Sequence, residues 1–101
     1  MYKITGAAKR YFEFVDPSTG KVLLLEPPKL KTLRKMEDID KDKNAGIGDI
    51  TDLLAQIISK NKAGRKVTST QVEEWMDLDQ MQDFLAKYMA WLRNSRNNDP
   101  N

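Results

Sequence analysis

Cysteine and histidine are both absent from this chain of 101 residues. Without cysteine the chain can form neither a disulfide nor a zinc–thiolate site, and it has no thiolate nucleophile. Without histidine it lacks the side chain whose ordinary pKa best suits acid–base catalysis near neutral pH and which most often binds metal ions. The four serines therefore have no histidine to activate them. Since no set of residues can be given catalytic roles, we expect a protein that is not an enzyme and needs no cofactor.

Long apolar runs are missing as well. No segment approaches the roughly 20 apolar residues that cross a membrane, and the first residues lack the apolar core of a signal peptide. Hydrophobic residues make up 40% of the chain and charged residues 32%, which is typical of a soluble domain with a modest core. We therefore expect a single small domain over residues 1–93 that stays in a cytoplasm and does not contact a membrane.

The formal net charge is only +2, but the charges are unevenly distributed. Residues 1–35 carry eight basic and three acidic side chains, whereas residues 67–101 carry three basic and six acidic ones. Such an asymmetry can attract a charged partner or a second copy of the chain in a salt-dependent way. The alternative is a well-solvated surface with no binding role.

Residues 11–25 predict a β-hairpin. Two short apolar runs, at 11–15 and 22–25, flank a turn segment at 16–20. In that segment Asp16 suits the first turn position, Pro17 presets the backbone of the second, and Gly20 can adopt a positive φ. Because a lone two-stranded hairpin is marginally stable, it must pack against the helices or gain a third strand from residues 2–5.

Two segments after the hairpin predict helices at about 28–39 and 50–60. Pro28 is tolerated at the first position of the earlier helix. The apolar residues of that helix recur every three residues and so drift around its axis. Asp49 can cap the later helix, which has a clear apolar stripe on one face.

Two capping boxes then predict helices at about 69–75 and 78–93. Thr68 pairs with Gln71 in the first box, and Asp77 pairs with Gln80 in the second. The polar residues 94–101 predict a disordered tail. The resulting fold class is α+β and mainly helical, with an N-terminal β-hairpin followed by three or four helices.

The loop between the first two predicted helices partly matches the sequence pattern of a calcium-binding loop. Asp40, Asp42 and Asn44 match the first, third and fifth positions of a calcium-binding loop. However, Ala45 replaces the required glycine, and Thr51 replaces the glutamate that closes such a site. The sequence therefore predicts a solvated loop and no metal site.

The final helix has an unusually wide apolar face. At 100° per residue, eight large side chains sweep an arc of roughly 160°, with Leu85 near its middle and with Trp91 and Met89 at its margins. Aromatic and methionine side chains at such margins suit a protein interface. We therefore predict the following partner-binding residues: Met81, Phe84, Tyr88, Met89 and Trp91. The alternative is a single wide face that serves the core.

Nucleic-acid binding is a second hypothesis. Basic residues cluster at 9–10, 29–35 and 60–66, and Phe12 and Phe14 alternate on a predicted strand beside the first cluster. Basic side chains with aromatic neighbours are typical of surfaces that stack bases. A net charge of +2 gives only a small electrostatic attraction to phosphates. A small nucleic-acid-binding regulatory protein therefore stays as the alternative function.

One family resemblance spans the general organisation of the chain. A hairpin segment from Tyr11 to Lys21, built around Asp-Pro-x-Thr-Gly-Lys, precedes helices that end in residues 72–84. This arrangement resembles small tail assembly chaperones of long-tailed bacteriophages and prophages. The resemblance implies a non-enzymatic protein in the cytoplasm of a bacterial host cell that binds the tape measure and tail tube proteins. It also leaves room for a homo-oligomer, and it carries over no individual functional residue.

Overall fold

The computed structural model describes residues 10–41 and 46–97. Strand β1 (Phe12–Val15) pairs antiparallel with β2 (Val22–Leu25), so that Phe12 lies opposite Leu25. Four helices follow in this described part: α1 (Leu30–Lys41), α2 (Ile47–Ser59), α3 (Ser69–Trp75) and α4 (Leu78–Asn97). The predicted α+β, mainly helical fold with an N-terminal hairpin is therefore confirmed. The possible third strand at residues 2–5 lies outside the described residues.

The hairpin turn forms through the residues that predicted it. The Asp16 carbonyl accepts hydrogen bonds from the Thr19 N–H at 3.3 Å and from the Gly20 N–H at 2.7 Å. Gly20 has a φ of +74°, in the left-handed region that glycine adopts without strain. The turn prediction is therefore confirmed in its mechanism as well as its position.

The second strand gains a neighbour on its other edge from the segment after α2. The Glu26 N–H donates to the Lys60 carbonyl at 2.9 Å, and the Lys62 N–H donates to the Leu24 carbonyl at 3.0 Å. Leu25 also forms an isolated antiparallel bridge with Asn61. This pairing joins the hairpin to the helical part of the chain, which a lone two-stranded hairpin needs for stability.

Both early helices differ from their predicted bounds. The first helical hydrogen bond of α1 runs from the Leu33 N–H to the Lys29 carbonyl at 3.0 Å, so Pro28 precedes the helix and does not open it. In α2 the N-cap is Gly46, and Asp49 is the third helical residue, where its Oδ2 accepts from the Gly46 N–H at 3.1 Å. The predicted cap at Asp49 is therefore wrong, because its carboxylate reaches back to the cap position from inside the first turn.

The last two helices begin where the capping boxes predicted. The Gln71 N–H donates to Thr68 Oγ1 at 3.2 Å, and the Gln71 side chain accepts from the Thr68 N–H at 3.1 Å. Asp77 and Gln80 make the same reciprocal pair at 2.8 and 2.9 Å. Helix α4 continues to Asn97, so the tail predicted to be disordered from residue 94 is helical at its start. No glycine or proline interrupts the chain between residue 78 and Pro100, so nothing local ends the helix earlier.

Helix α2 lies at the centre of the fold. It packs against α1, α3, α4 and β2. Leu53, Leu54 and Ile58 have no exposed surface, and Ile57 is only 1% exposed. The elements around it therefore bury their apolar faces on this one helix.

Two sequence hypotheses concern membranes and metals. None of the described helices is long and apolar enough to cross a membrane. Within residues 10–41 and 46–97 there is no group of three or more acidic side chains that could hold a metal ion. The central residues of the tested calcium loop, 42–45, lie outside the described residues. Thr51 is buried in α2, and its hydroxyl donates to the Gly48 carbonyl at 3.0 Å.

Candidate protein-binding groove

Three of the five predicted partner-binding residues belong to the core. Met81 is 3% exposed, Phe84 is 8% exposed and Tyr88 is not exposed at all. Their apolar surface is therefore used inside the protein, and the expectation that they lie on an accessible surface is corrected. Met89 and Trp91 are half-buried.

An aromatic cluster explains this burial. Phe12 of β1 meets Phe84, Tyr88 and Trp91 edge-on, with ring centroids 5.5–5.7 Å apart. Phe14 meets Phe84 in the same way at 5.5 Å. Such aromatic pairs contribute about 0.5–1.5 kcal/mol each beyond the area they bury. The inward residues of the hairpin thus cover α4, and this packing leaves Phe12 and Phe14 half-buried.

The buried centre of α4 is Tyr88, and not Leu85 as its sequence pattern predicted. The Tyr88 hydroxyl donates to the Glu26 carbonyl at 3.0 Å, which satisfies the one polar group of the ring. Burial raises the pKa of the Tyr88 phenol well above its usual range, although the charge of Arg10 acts in the opposite direction. Leu85 is only half-buried. The hairpin has therefore shifted the core face toward the margin that was expected to meet a partner.

Trp91 is held against the protein by Arg10. The Arg10 guanidinium lies 4.6 Å from the centroid of the Trp91 ring, a cation–π arrangement. Arg10 Nη2 also donates to the Trp91 carbonyl at 3.4 Å. Trp91 therefore has contacts within the chain on two sides, which is a structural role.

The opposite flank of α4 borders an apolar groove, here named the α1–α4 groove. Both α1 and α4 pack against α2, and the groove is the gap between them. It consists of two adjoining depressions of about 310 and 280 Å³ that share the lining residues Met36 and Met89. Their other apolar lining residues are Pro27, Pro28, Leu33, Ile39, Ile50, Leu85, Ala86 and Leu92. Of the five predicted residues, Met89 alone lines this groove.

One end of the groove is basic. Arg10 and Arg93 line it, and no acidic side chain is among the described residues around that end. Arg10 Nε is buried and has no hydrogen-bond partner, the only such side-chain atom in the described part of the protein. A buried donor without a partner costs roughly 1–3 kcal/mol. A carboxylate entering this end would meet the positive charges of Arg10 and Arg93, and arginine binds carboxylates through charge-assisted hydrogen bonds.

A second cluster, which the sequence reasoning missed, fixes the hairpin turn to the helices. The Asp16 carboxylate is fully buried and accepts from Arg65 Nε and, at 2.8 Å, from the Ser18 N–H. Burial by itself raises the pKa of this carboxyl, but hydrogen bonds from Ser18, Arg65 and Thr19 and the charge of Arg65 outweigh it, so the pKa of Asp16 lies below its usual value. Trp75 Nε1 donates to Ser18 Oγ at 3.1 Å across the same turn. Arg65 lies 49 residues from Asp16, so no local pattern pairs them.

The groove too had only an indirect signal in the sequence. The three-residue spacing of apolar residues in α1 does not match a helical face, so some of them stay exposed. Leu30 is 63% exposed and Leu33 is 37% exposed, whereas Met36 is 1% exposed. Of the two exposed leucines, Leu33 lines the groove and Leu30 does not, so the drifting pattern of α1 signals only one part of the groove wall.

No protein-family model matches this chain, and no curated protein or solved structure is detectably similar to it. The physical properties of the α1–α4 groove are therefore the basis for a functional assignment. These properties are an apolar floor, two methionines at its centre and two arginines at one end.

Proposed function

We propose that this protein is a non-enzymatic tail assembly chaperone of a bacteriophage or prophage, which binds an apolar helical segment of its partner in the α1–α4 groove. The observation that carries the proposal is the basic end of this apolar groove, which Arg10 and Arg93 line. Two arginines at one end of an apolar groove favour a ligand with a negative charge at the matching end of its apolar face.

The shape of the groove favours a helix as the ligand. A helix that binds in a groove presents apolar residues at positions i, i+3 or i+4, and i+7. The two adjoining depressions, of about 310 and 280 Å³, can each accept large side chains. Met36 and Met89 line both depressions; Met36 is almost fully buried, whereas Met89 is half-buried and can adapt to ligands of different shape. The matching partner is an amphipathic helix with an aspartate or glutamate near one end of its apolar stripe.

The resemblance supplies the identity of the partner. In tail assembly chaperones a small, largely helical protein covers the tape measure protein and recruits tail tube subunits. A tape measure protein is long and helical, so it offers repeated apolar faces that need cover before assembly. Genes for a tape measure protein and a tail tube protein beside the gene for this chain would support the proposal.

The direct test is co-purification of the tagged chain with the tape measure or tail tube protein encoded beside it. Met89→Lys places a charge at the centre of the groove, and we expect it to reduce recovery of the partner at least about tenfold, a loss of about 1.4 kcal/mol. Val22→Lys is the matched control, since Val22 is 53% exposed on the hairpin and is not among the residues that line the groove. Circular dichroism and thermal unfolding check that both variants fold. Equal recovery with both variants, or no recovery with the wild type, would contradict the proposed function.

The nucleic-acid hypothesis is the alternative outcome of the same experiment. The basic residues on and beside α1, such as Lys31 and Arg34, are exposed. However, Phe12 and Phe14 pack against α4 and are half-buried, which reduces the ring surface on which bases could stack. Binding of the purified protein to DNA or RNA, with a steep loss of affinity as salt rises, would favour this alternative over the chaperone.

A further inference from the structure

We infer that a second copy of this chain covers the basic end of the α1–α4 groove when no partner is bound, by inserting the corner between its own α3 and α4. This corner, residues 76–79, carries Leu78 between Asp77 and Asp79. The inference deepens the proposed function, because the surface that binds the partner is then regulated by self-association. The contact itself, however, can be tested without any partner.

The α3–α4 corner has the chemistry that the groove requires. Leu78 is 40% exposed at the first residue of α4, although it is large and apolar. Asp77 and Asp79 on either side of it are exposed carboxylates. An apolar side chain between two carboxylates complements an apolar depression flanked by Arg10 and Arg93.

The corner also has a defined shape. The Thr68–Gln71 box starts α3, and the extended backbone of Met76, with φ of −134° and ψ of 142°, ends it. The Asp77–Gln80 pair starts α4 immediately afterwards. Leu78 is therefore presented on a corner that is fixed by hydrogen bonds at both helix ends, so little conformational freedom is lost when it docks.

Geometry requires that corner and groove belong to different copies. Leu78 and Arg93 lie at opposite ends of α4, about 22 Å apart along the axis at 1.5 Å per residue. A rigid helix cannot fold its first residue onto its own last turns. The two surfaces are also different, so the contact is head-to-tail and each new copy leaves a free groove or corner at its end. The uneven charge of the chain, basic in residues 1–35 and acidic in residues 67–101, favours the same orientation.

Sedimentation velocity of the full chain over a concentration series, at low and high salt, tests the inference. We expect the wild type to associate at low salt and to dissociate as salt rises, since exposed charges are screened. Arg93→Glu disrupts the groove and Asp79→Lys disrupts the corner. We expect each variant to raise the dissociation constant of self-association at least about tenfold. Both residues are exposed, so we expect both variants to fold, and circular dichroism checks this.

Mixing the Arg93→Glu and Asp79→Lys variants is the decisive experiment. Each groove then meets a corner of complementary charge, so association is stronger in the mixture than for either variant alone. Arg34→Glu and Glu73→Lys are matched controls, because they make the same charge changes at exposed positions outside the groove and corner. A wild type that stays monomeric at every concentration, controls that act as strongly as the variants, or a mixture that associates no more strongly than either variant alone would each overturn the inference.

The two proposals can fail separately. Self-association is measured with no other protein present, so its absence refutes the contact between copies and leaves partner binding standing. Equal partner recovery with Met89→Lys and Val22→Lys, or no recovery with the wild type, together with normal self-association of the wild type, would instead refute the proposed function.

Discussion

The buried ion pair between Asp16 and Arg65 gives the sharpest stability prediction. Asp16 has no exposed surface, while the Arg65 side chain is 31% exposed. Removing one partner of a fully buried pair costs about 3–5 kcal/mol, since the other charge is left buried without compensation. Because water can reach part of the Arg65 site, we expect a smaller cost of about 2–3 kcal/mol for Arg65→Ala.

Asp16→Asn tests the same contact from the other side. The amide can still accept from the Ser18 N–H, but it presents no charge to Arg65, so we expect a loss of about 2 kcal/mol. The double variant should lose less than the sum of the single losses, with a coupling of about 1–2 kcal/mol. Lys66→Ala is the control, because Lys66 is an exposed neighbour of Arg65 and its loss should stay within about 0.5 kcal/mol.

The assay is urea unfolding of the four variants and the wild type, followed by circular dichroism over a range of pH. The pKa of Asp16 is lower in the folded protein than its ordinary value, so the folded state binds the proton less readily. Its contribution is therefore present above the unfolded-state pKa of about 3.9 and is lost as pH falls toward the folded-state pKa. The difference between wild type and Asp16→Asn should shrink over the same acid range.

Two results would refute this reasoning. If Asp16→Asn unfolds within about 0.5 kcal/mol of the wild type, the carboxylate contributes no more than an ordinary surface group. If the double-variant cycle shows no coupling, Asp16 and Arg65 act independently and do not form a pair in solution.

Three further predictions concern the core, the turn and the buried tyrosine. Leu54→Ala should lower the free energy of unfolding in urea by about 2–5 kcal/mol, as buried leucine truncations do. The control Leu78→Ala should change it by less than about 0.5 kcal/mol. Similar losses for both variants would contradict the burial pattern. Gly20→Ala should cost about 1–2 kcal/mol because of the positive φ at Gly20, whereas Gly48→Ala, with open space around it, should be neutral or stabilising by about 0.4–1 kcal/mol. The raised pKa of Tyr88 stabilises the fold below the unfolded-state value of about 10 and this contribution is lost as pH rises beyond it. In an alkaline titration followed by absorbance, Tyr88 should therefore ionise only as the protein unfolds. Over the pH range in which the protein stays folded, the titration curves of the wild type and of Tyr88→Phe should therefore be the same.

The sequence by itself determined the elements whose chemistry is local. The hairpin turn needs Asp16 to accept hydrogen bonds and Gly20 to adopt a positive φ, and both requirements lie within five residues. The capping boxes of α3 and α4 need partners three residues apart, so their start positions could be read directly. The N-cap of α2 was predicted at the wrong residue for the same local reason. The Asp49 carboxylate can accept a hydrogen bond from a backbone N–H at the helix start either from the cap position or from the third helical position.

The tertiary structure alone decided which apolar face of α4 is buried. Its wide arc of side chains allowed several centres, and the sequence pattern favoured Leu85. The hairpin selected Tyr88, because Phe12 packs on it from 76 positions earlier in the chain. Likewise Arg65 meets Asp16, and Arg10 meets Trp91, through contacts between distant segments. Hydrogen bonds within one turn depend on neighbouring residues, whereas side-chain packing depends on where remote elements come to lie. The α1–α4 groove likewise depends on the packing of remote elements, since it exists only because α1 and α4 both pack on α2 with a gap between them.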